Sequence, residues 1–304
     1  MAPQNQDQDL TQPDLKVANA MTIDVEDYFQ VGVFQDRIKT DDWHSFESRV
    51  EHNLDRCLAR LDAKGIKATF FVLGWLAERF PAAIRRLDLE GHEVASHGYG
   101  HQPIWKLNPE SFREDIKRAQ GEIGAAIGRA PRSYRAPCFS ITKKTLWALD
   151  ILAEEGIVQD SSIFPVSHPE YGIPDAEKSI HRIRLANGAE LWEFPMTVGR
   201  LCGKTMAFCG GGWFRLFPYW VTRRALRKSC RDGVPFVFYL HPWELDPDQP
   251  DLRQLTTKLG RFRHYVNLHR NEAKFAQLLE DFTFTRLEDI FAAYAGRDVP
   301  VVSY

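Results

Sequence analysis

The sequence lacks the features that mark specialised protein classes. No run approaches the roughly 18 apolar residues of a membrane-spanning helix, so no transmembrane segment is expected. Cysteine is scarce: Cys57, Cys138, Cys202, Cys209 and Cys230 are odd in number, irregularly spaced and free of any CxxC pair. That pattern excludes a disulfide framework and suits a reducing compartment. Neither sign of charge dominates, with 39 basic and 41 acidic residues. The clustered basic face of a nucleic-acid binder is therefore not expected. Residues 1–16 carry neither a basic flank nor an apolar core, so they do not read as a secretory leader. Rich in Gln, Asp and Pro, they read as a disordered tail, and a cytoplasmic location is expected. There is no internal repeat and no low-complexity tract.

What remains is an ordinary globular composition over 304 residues, 44% hydrophobic and 12% aromatic. Its periodicity alternates. VANAMTIDVED is an apolar strand ending in carboxylates. Phe46, Val50, Leu54, Leu58 and Leu61 recur at helical spacing over residues 46–63. KATFFV (67–72), HEVAS (92–96), RSYRA (132–136) and PFVFYL (235–240) read as further strands. Between them lie helices opened by Pro81, by Asn108-Pro109 and by Thr142, and another over 218–231. Amphipathic stretches at 271–281 and 285–294 close the chain. Strands and helices alternating in this way predict an α/β architecture with a parallel sheet or barrel. The rhythm breaks at about 165–215, where Asn187-Gly188 between alternating runs signals an inserted β-hairpin. GGGWF (210–214) reads as a loop. One domain over 17–296 is the simplest organisation.

Four polar clusters fall where strands end, which is where a β/α barrel builds its active site. Asp24, Glu26 and Asp27 crowd three carboxylates into four residues, which is costly unless a cation sits among them. A solvated loop, or a helix cap at Asp27, is the bland alternative. His97 and His101 in SHGYGH are two imidazoles able to converge on one ion, although a lone HxxxH more often marks two unrelated histidines. Arg135 in YRAPCFS, close to Pro137 and Ser140, can orient a carboxylate bidentately, though a structural ion pair is arginine's commoner use. His241 follows five apolar residues and precedes Pro242, Trp243 and Glu244. It is either a satisfied core histidine or a general acid at a barrel mouth. Taken together, two histidines and a carboxylate make a three-ligand metal site with open positions, and a separate carboxylate and histidine supply base and acid.

TIDVED, SHGYGH, RAPCFS, DSSIFP and LHPW, in this order over residues 21–243, resemble the motifs of the NodB-type polysaccharide deacetylases, carbohydrate esterase family 4. TIDVEDYFQV, HPWELDP and RFRHYVNLHRNEAKF are most similar to the branch associated with exosortase and exopolysaccharide gene clusters, which carries an extra C-terminal region, here about 244–296. The resemblance implies a distorted (β/α) barrel of the NodB homology type. It implies removal of N-acetyl groups from a sugar polymer or oligomer, aided by one divalent metal ion: zinc first, with cobalt, nickel or manganese as alternatives. It makes Asp24 the general base, Arg135 its orienter, His241 the acid for the leaving amine, and His97 and His101 metal ligands. The family's usual pair of adjacent aspartates is absent because Val25 holds the second place, so the third ligand is Glu26 or Asp27. Tyr28, Pro137 and Trp243 become substrate-facing residues. Phe29, Trp105 and Trp213 are further stacking candidates, and Asp160 a support for His241. Two rivals remain. Related proteins hydrolyse cyclic imides or ureides, and a non-catalytic carbohydrate-binding protein can keep the same fold.

Overall fold

The computed structural model describes residues 18–201 and 203–304. The tail expected over 1–16 and Cys202 lie outside the described residues. Strands β1 (Asn19–Val25), β2 (Thr69–Val72), β3 (Glu93–Ser96), β4 (Ser133–Tyr134) and β5 (Gln159–Asp160) follow one another in sequence and in space. They alternate with α1 (Val50–Asp62), α2 (Gly74–Arg79), α3 (Pro81–Leu89), α4 (Pro109–Ile127) and α5 (Trp147–Glu154). After β6 (His181–Arg184), β7 (Glu190–Glu193), β8 (Val198–Leu201) and β9 (Lys204–Ala207) come α6 (Gly211–Leu216), α7 (Tyr219–Arg231) and β10 (Val237–Leu240). The chain closes with α8 (Lys258–Tyr265), α9 (Leu268–Asp281), β11 (Phe284–Thr285), α10 (Leu287–Tyr294) and β12 (Val301–Val302).

Among the described residues the main sheet runs β10-β1-β2-β3-β4-β5-β7-β6-β12, with β11 also paired to β1. From β10 to β7 every neighbour is parallel. This is the α/β barrel-like arrangement expected from the alternation. The ladder ends at β10 and β12 and does not close on itself.

β1 and β2 are buried along their whole lengths, as apolar runs in a parallel sheet must be. Against them pack Leu54, Leu58 and Leu61 of α1 and Phe275, Leu278 and Leu279 of α9, in one core cluster. The α4 helix starts where Asn108 Oδ1 accepts the Ser111 N–H and stops at Gly128, whose φ is 80°.

Three stretches gain detail in the structure. The hairpin at Asn187-Gly188 forms as β6 and β7, but it extends the main sheet through the β5–β7 pairing. GGGWF is helical, forming most of α6. The 244–296 segment is knit into the core: β11 pairs with β1, and the Leu287 N–H donates to Thr69 Oγ1. Among the described residues no helix is long and apolar enough to cross a membrane.

Candidate metal centre and active site

All four polar clusters meet at the carboxyl ends of β10, β1, β3 and β4. Because β-strand side chains alternate, Asp24 and Glu26 leave the first strand on the same side. Glu26 Oε1 lies 3.2 Å from His97 Nε2, 2.9 Å from His101 Nε2 and 3.7 Å from His241 Nε2. Glu26, His97 and His101 are all buried. Burial alone would raise the Glu26 carboxyl; the neighbouring imidazoles, His101 and His241 foremost, outweigh it and hold the group well below the usual carboxylate range.

The 97–101 loop is shaped from α4. Asp115 accepts the Tyr99 and Gly100 N–H groups at 2.9 and 3.2 Å. Gly98 turns at φ 74°, and a Cβ there would sit 2.7 Å from Asp115 Oδ2, so only glycine fits. His97 Nδ1 donates to the Arg135 carbonyl at 2.8 Å, which leaves the Nε2 lone pair facing Glu26. His101 Nδ1 rests 3.1 Å from the Gln35 amide nitrogen.

Arg135 is wholly buried and held on both sides. Nη1 donates to Asp24 Oδ1 at 2.6 Å and to Thr22 Oγ1 at 2.8 Å; Nε and Nη2 donate to Ser161 O and Oγ at 3.0 and 2.9 Å. A buried ion pair is tolerated when its remaining donors are satisfied in this way. His241 is the most open member of the group, its side chain 17% exposed. Its Nδ1 donates to Glu244 Oε2 at 3.0 Å. Burial works against its charge, but Glu26, Glu244 and Asp24 prevail and raise it to about 9.

A divalent ion fits this donor set. One ligand atom each from Glu26, His97 and His101 lies within 4.8 Å of the others. Two imidazoles and a carboxylate with open positions is a donor set used for catalytic metals. Asp62, Glu90 and His92 also cluster, but that group does not suit a cation. His92 Nδ1 accepts the Ala68 N–H, and burial, then the Lys67 charge, depresses the ring to about 4, so the neutral imidazole carries its proton on Nε2 and offers no lone pair there.

Of the two carboxylates expected as alternatives for the third ligand, Glu26 faces His97 and His101. Asp27 turns away: Oδ2 accepts from Ser48 Oγ at 2.6 Å and the Arg49 N–H at 2.9 Å, capping the approach to α1, and Oδ1 accepts the Tyr28 N–H. Burial pushes its carboxyl up to about 6. The trio expected to face substrate is well packed. Tyr28, Pro137 and Trp243 are buried; Tyr28 packs on Phe29, and Trp243 is stacked between His241 and His264. Phe29 is likewise buried, whereas Trp105 is exposed and Trp213 half-buried. Asp160 accepts from Ser162 Oγ and is not the partner of His241. That partner, Glu244, was missed by sequence reasoning, although a carboxylate three residues after a histidine at a strand end is a signal for it. Ser140 serves the fold, accepting the Ile104 N–H.

Residues 40–155 match the polysaccharide deacetylase family, and residues 161–292 match a domain of unknown function, DUF3473. A peptidoglycan-N-acetylglucosamine deacetylase of Bacillus cereus is 30% identical over 118 residues, which is 35% of this chain and 43% of that protein. The chain thus spans less than half the length of this curated relative. A solved structure from Mycobacterium smegmatis assigned as a polysaccharide deacetylase superposes with TM-score 0.64 at 19% identity, covering 94% of this chain and 93% of that one. Puue allantoinase superposes with TM-score 0.60 at 16% identity, over 93% and 92%. Likeness at these identities shows the fold alone, and the fold serves both names. Residues 40–155 are thus similar to polysaccharide deacetylases, and His241 and Glu244 fall within the stretch that matches the domain of unknown function.

Proposed function

We propose that this protein is a metal-dependent deacetylase of an N-acetylhexosamine polymer or oligomer, acting in exopolysaccharide biosynthesis in the exosortase-associated branch, with residues 17–296 as one catalytic domain. The observation that carries the reading is the convergence of Glu26, His97 and His101 on one point, with Asp24 and His241 beside them. A divalent ion held by those three residues would polarise the acetamide carbonyl and ease deprotonation of water. Asp24, fixed by Arg135, is placed to take the water's proton as the water oxygen bonds to the acetamide carbonyl carbon. His241, held by Glu244, donates a proton to the departing amine nitrogen as the C–N bond breaks, and acetate leaves. The name of the Bacillus cereus relative supports N-acetylglucosamine as the sugar class.

The complete set Glu26, His97 and His101 favours this chemistry over opening of a cyclic imide or ureide, and the retained Asp24, Arg135 and His241 favour catalysis over mere binding. The test is acetate release from N-acetylglucosamine oligomers, run beside ring opening of small cyclic amides. Release of acetate alone supports the proposal; ring opening alone assigns the other reaction.

A further inference from the structure

We propose that the domain of unknown function serves as a clamp on the His241 imidazole, with Arg215 and Glu244 as positioning residues. The inference rests on the deacetylase reading for what His241 does, and on geometry for how its ring is held.

Arg215 lies on the short α6 helix and is only 3% exposed. Its Nε donates to Glu244 Oε1 at 2.7 Å. Its other donors go to the free carbonyls at the end of α8: Nη2 to Arg263 O at 2.9 Å, and Nη1 to His264 O and to Val266 O at 3.3 Å. A helix C-terminus leaves such carbonyls unpaired and favours a cation, so α8 fixes the guanidinium. Glu244, 0% exposed, spends its second oxygen on the backbone N–H and Nδ1 of His241, each at 3.0 Å. The α9 helix holds the backbone behind both residues: Asn271 Nδ2 donates to Glu244 O, while Asn267 Nδ2 and Lys274 Nζ donate to Arg215 O.

The face of the ring is held as well as its edge. His241 stacks on Trp243 with centroids 5.4 Å apart and planes at 26°, and Trp243 stacks on His264 at 4.4 Å and 12°. The Arg215 guanidinium covers Trp243 at 5.2 Å. The His264 Nε2–H is anchored on Gln249 Oε1 at 2.7 Å. Every one of these groups comes from residues 215–274. What remains free on the imidazole is Nε2, directed at Glu26. A buried Arg–Glu pair adds little to stability that well-packed apolar residues would not supply, so its use here is orientation.

The experiment compares the full-length protein with Glu244→Gln and Arg215→Ala, reading acetate release from N-acetylglucosamine oligomers and the 15N NMR signals of the His241 ring. The clamp predicts a fall in kcat of about 10²-fold for Glu244→Gln with KM within about twofold. It also predicts that millimolar guanidinium restores part of the activity of Arg215→Ala, and that the His241 nitrogen signals shift in both variants while the metal content is unchanged. Should Arg215→Ala not fold, the isosteric Glu244→Gln carries the test. Unchanged His241 signals in a folded Glu244→Gln protein overturn the clamp whatever the activity. If the unmutated protein releases no acetate while the His241 signals still shift in the variants, the deacetylase reading falls and the clamp stands.

Discussion

Arg135 Nη1 lies 2.6 Å from Asp24 Oδ1, joining the end of β4 to β1 across the two intervening strands, with neither side chain exposed by more than a few per cent. Each partner is the other's compensation for leaving water. Asp24→Asn leaves the guanidinium buried beside a neutral amide, and breaking such a pair costs about 3–5 kcal/mol. If Asp24 is also the base, kcat falls by about 10²–10⁴-fold. Urea unfolding and acetate release on the same preparation read the two effects separately.

Adjacent carboxylates have different duties. Glu26→Gln is expected to weaken metal binding by at least about 10²-fold with the fold intact. Asp27→Asn removes acceptors of the Ser48 hydroxyl and the Arg49 N–H, costing about 1–3 kcal/mol of stability and leaving metal content unchanged. Metal analysis and unfolding midpoints of the two variants distinguish them.

The loop between the histidines tolerates only glycine at its bend. Gly98→Ala would adopt an unfavourable φ of 74° and collide with the Asp115 carboxylate that ties down the Tyr99 and Gly100 amides. It is expected to lower stability by about 1–3 kcal/mol and to reduce metal affinity, as measured by unfolding and by competition with a chelator.

Acid stability carries the mark of a buried neutral histidine. Burial, reinforced by the nearby Arg215 charge, depresses His264 to about 3. Its folded value lies below the unfolded one of about 6.5, so at lower pH the unfolded chain binds a proton that the folded chain refuses. The stabilisation is complete above about pH 6.5 and declines as pH falls toward 3, by up to about 1.4 kcal/mol per pH unit. Urea unfolding at pH 7 and pH 5 should show a smaller difference in His264→Phe than in the unmutated protein.

The sequence made the strands with polar ends legible because each is an apolar run closed by chemistry-bearing residues, and those ends became the site. The different directions of Glu26 and Asp27 were also within reach. Residues 24 and 26 share a side of an extended strand, whereas Asp27 falls where the chain turns toward α1. The role of Glu244 was written three residues from His241. Arg215 was not legible: it reaches Glu244 across 29 positions, and nothing local marks an arginine as the cap of a helix that begins at Lys258. The pairing of β8 with β9 was missed because no Asn-Gly signature of the kind that betrayed β6 and β7 lies between them in the sequence. Tyr28 and Trp243 looked like sugar platforms because aromatic residues near motifs invite that reading; only packing reveals that both are buried.

The account stands on Glu26, His97 and His101 sharing one divalent ion. Elemental analysis of the purified protein beside His97→Ala measures this directly. The expected result is about one equivalent of divalent metal in the unmutated protein and a loss of most of it in a His97→Ala protein with native circular dichroism. Equal metal content in the two proteins, or none in the first after incubation with zinc, cobalt, nickel and manganese in turn, would contradict it.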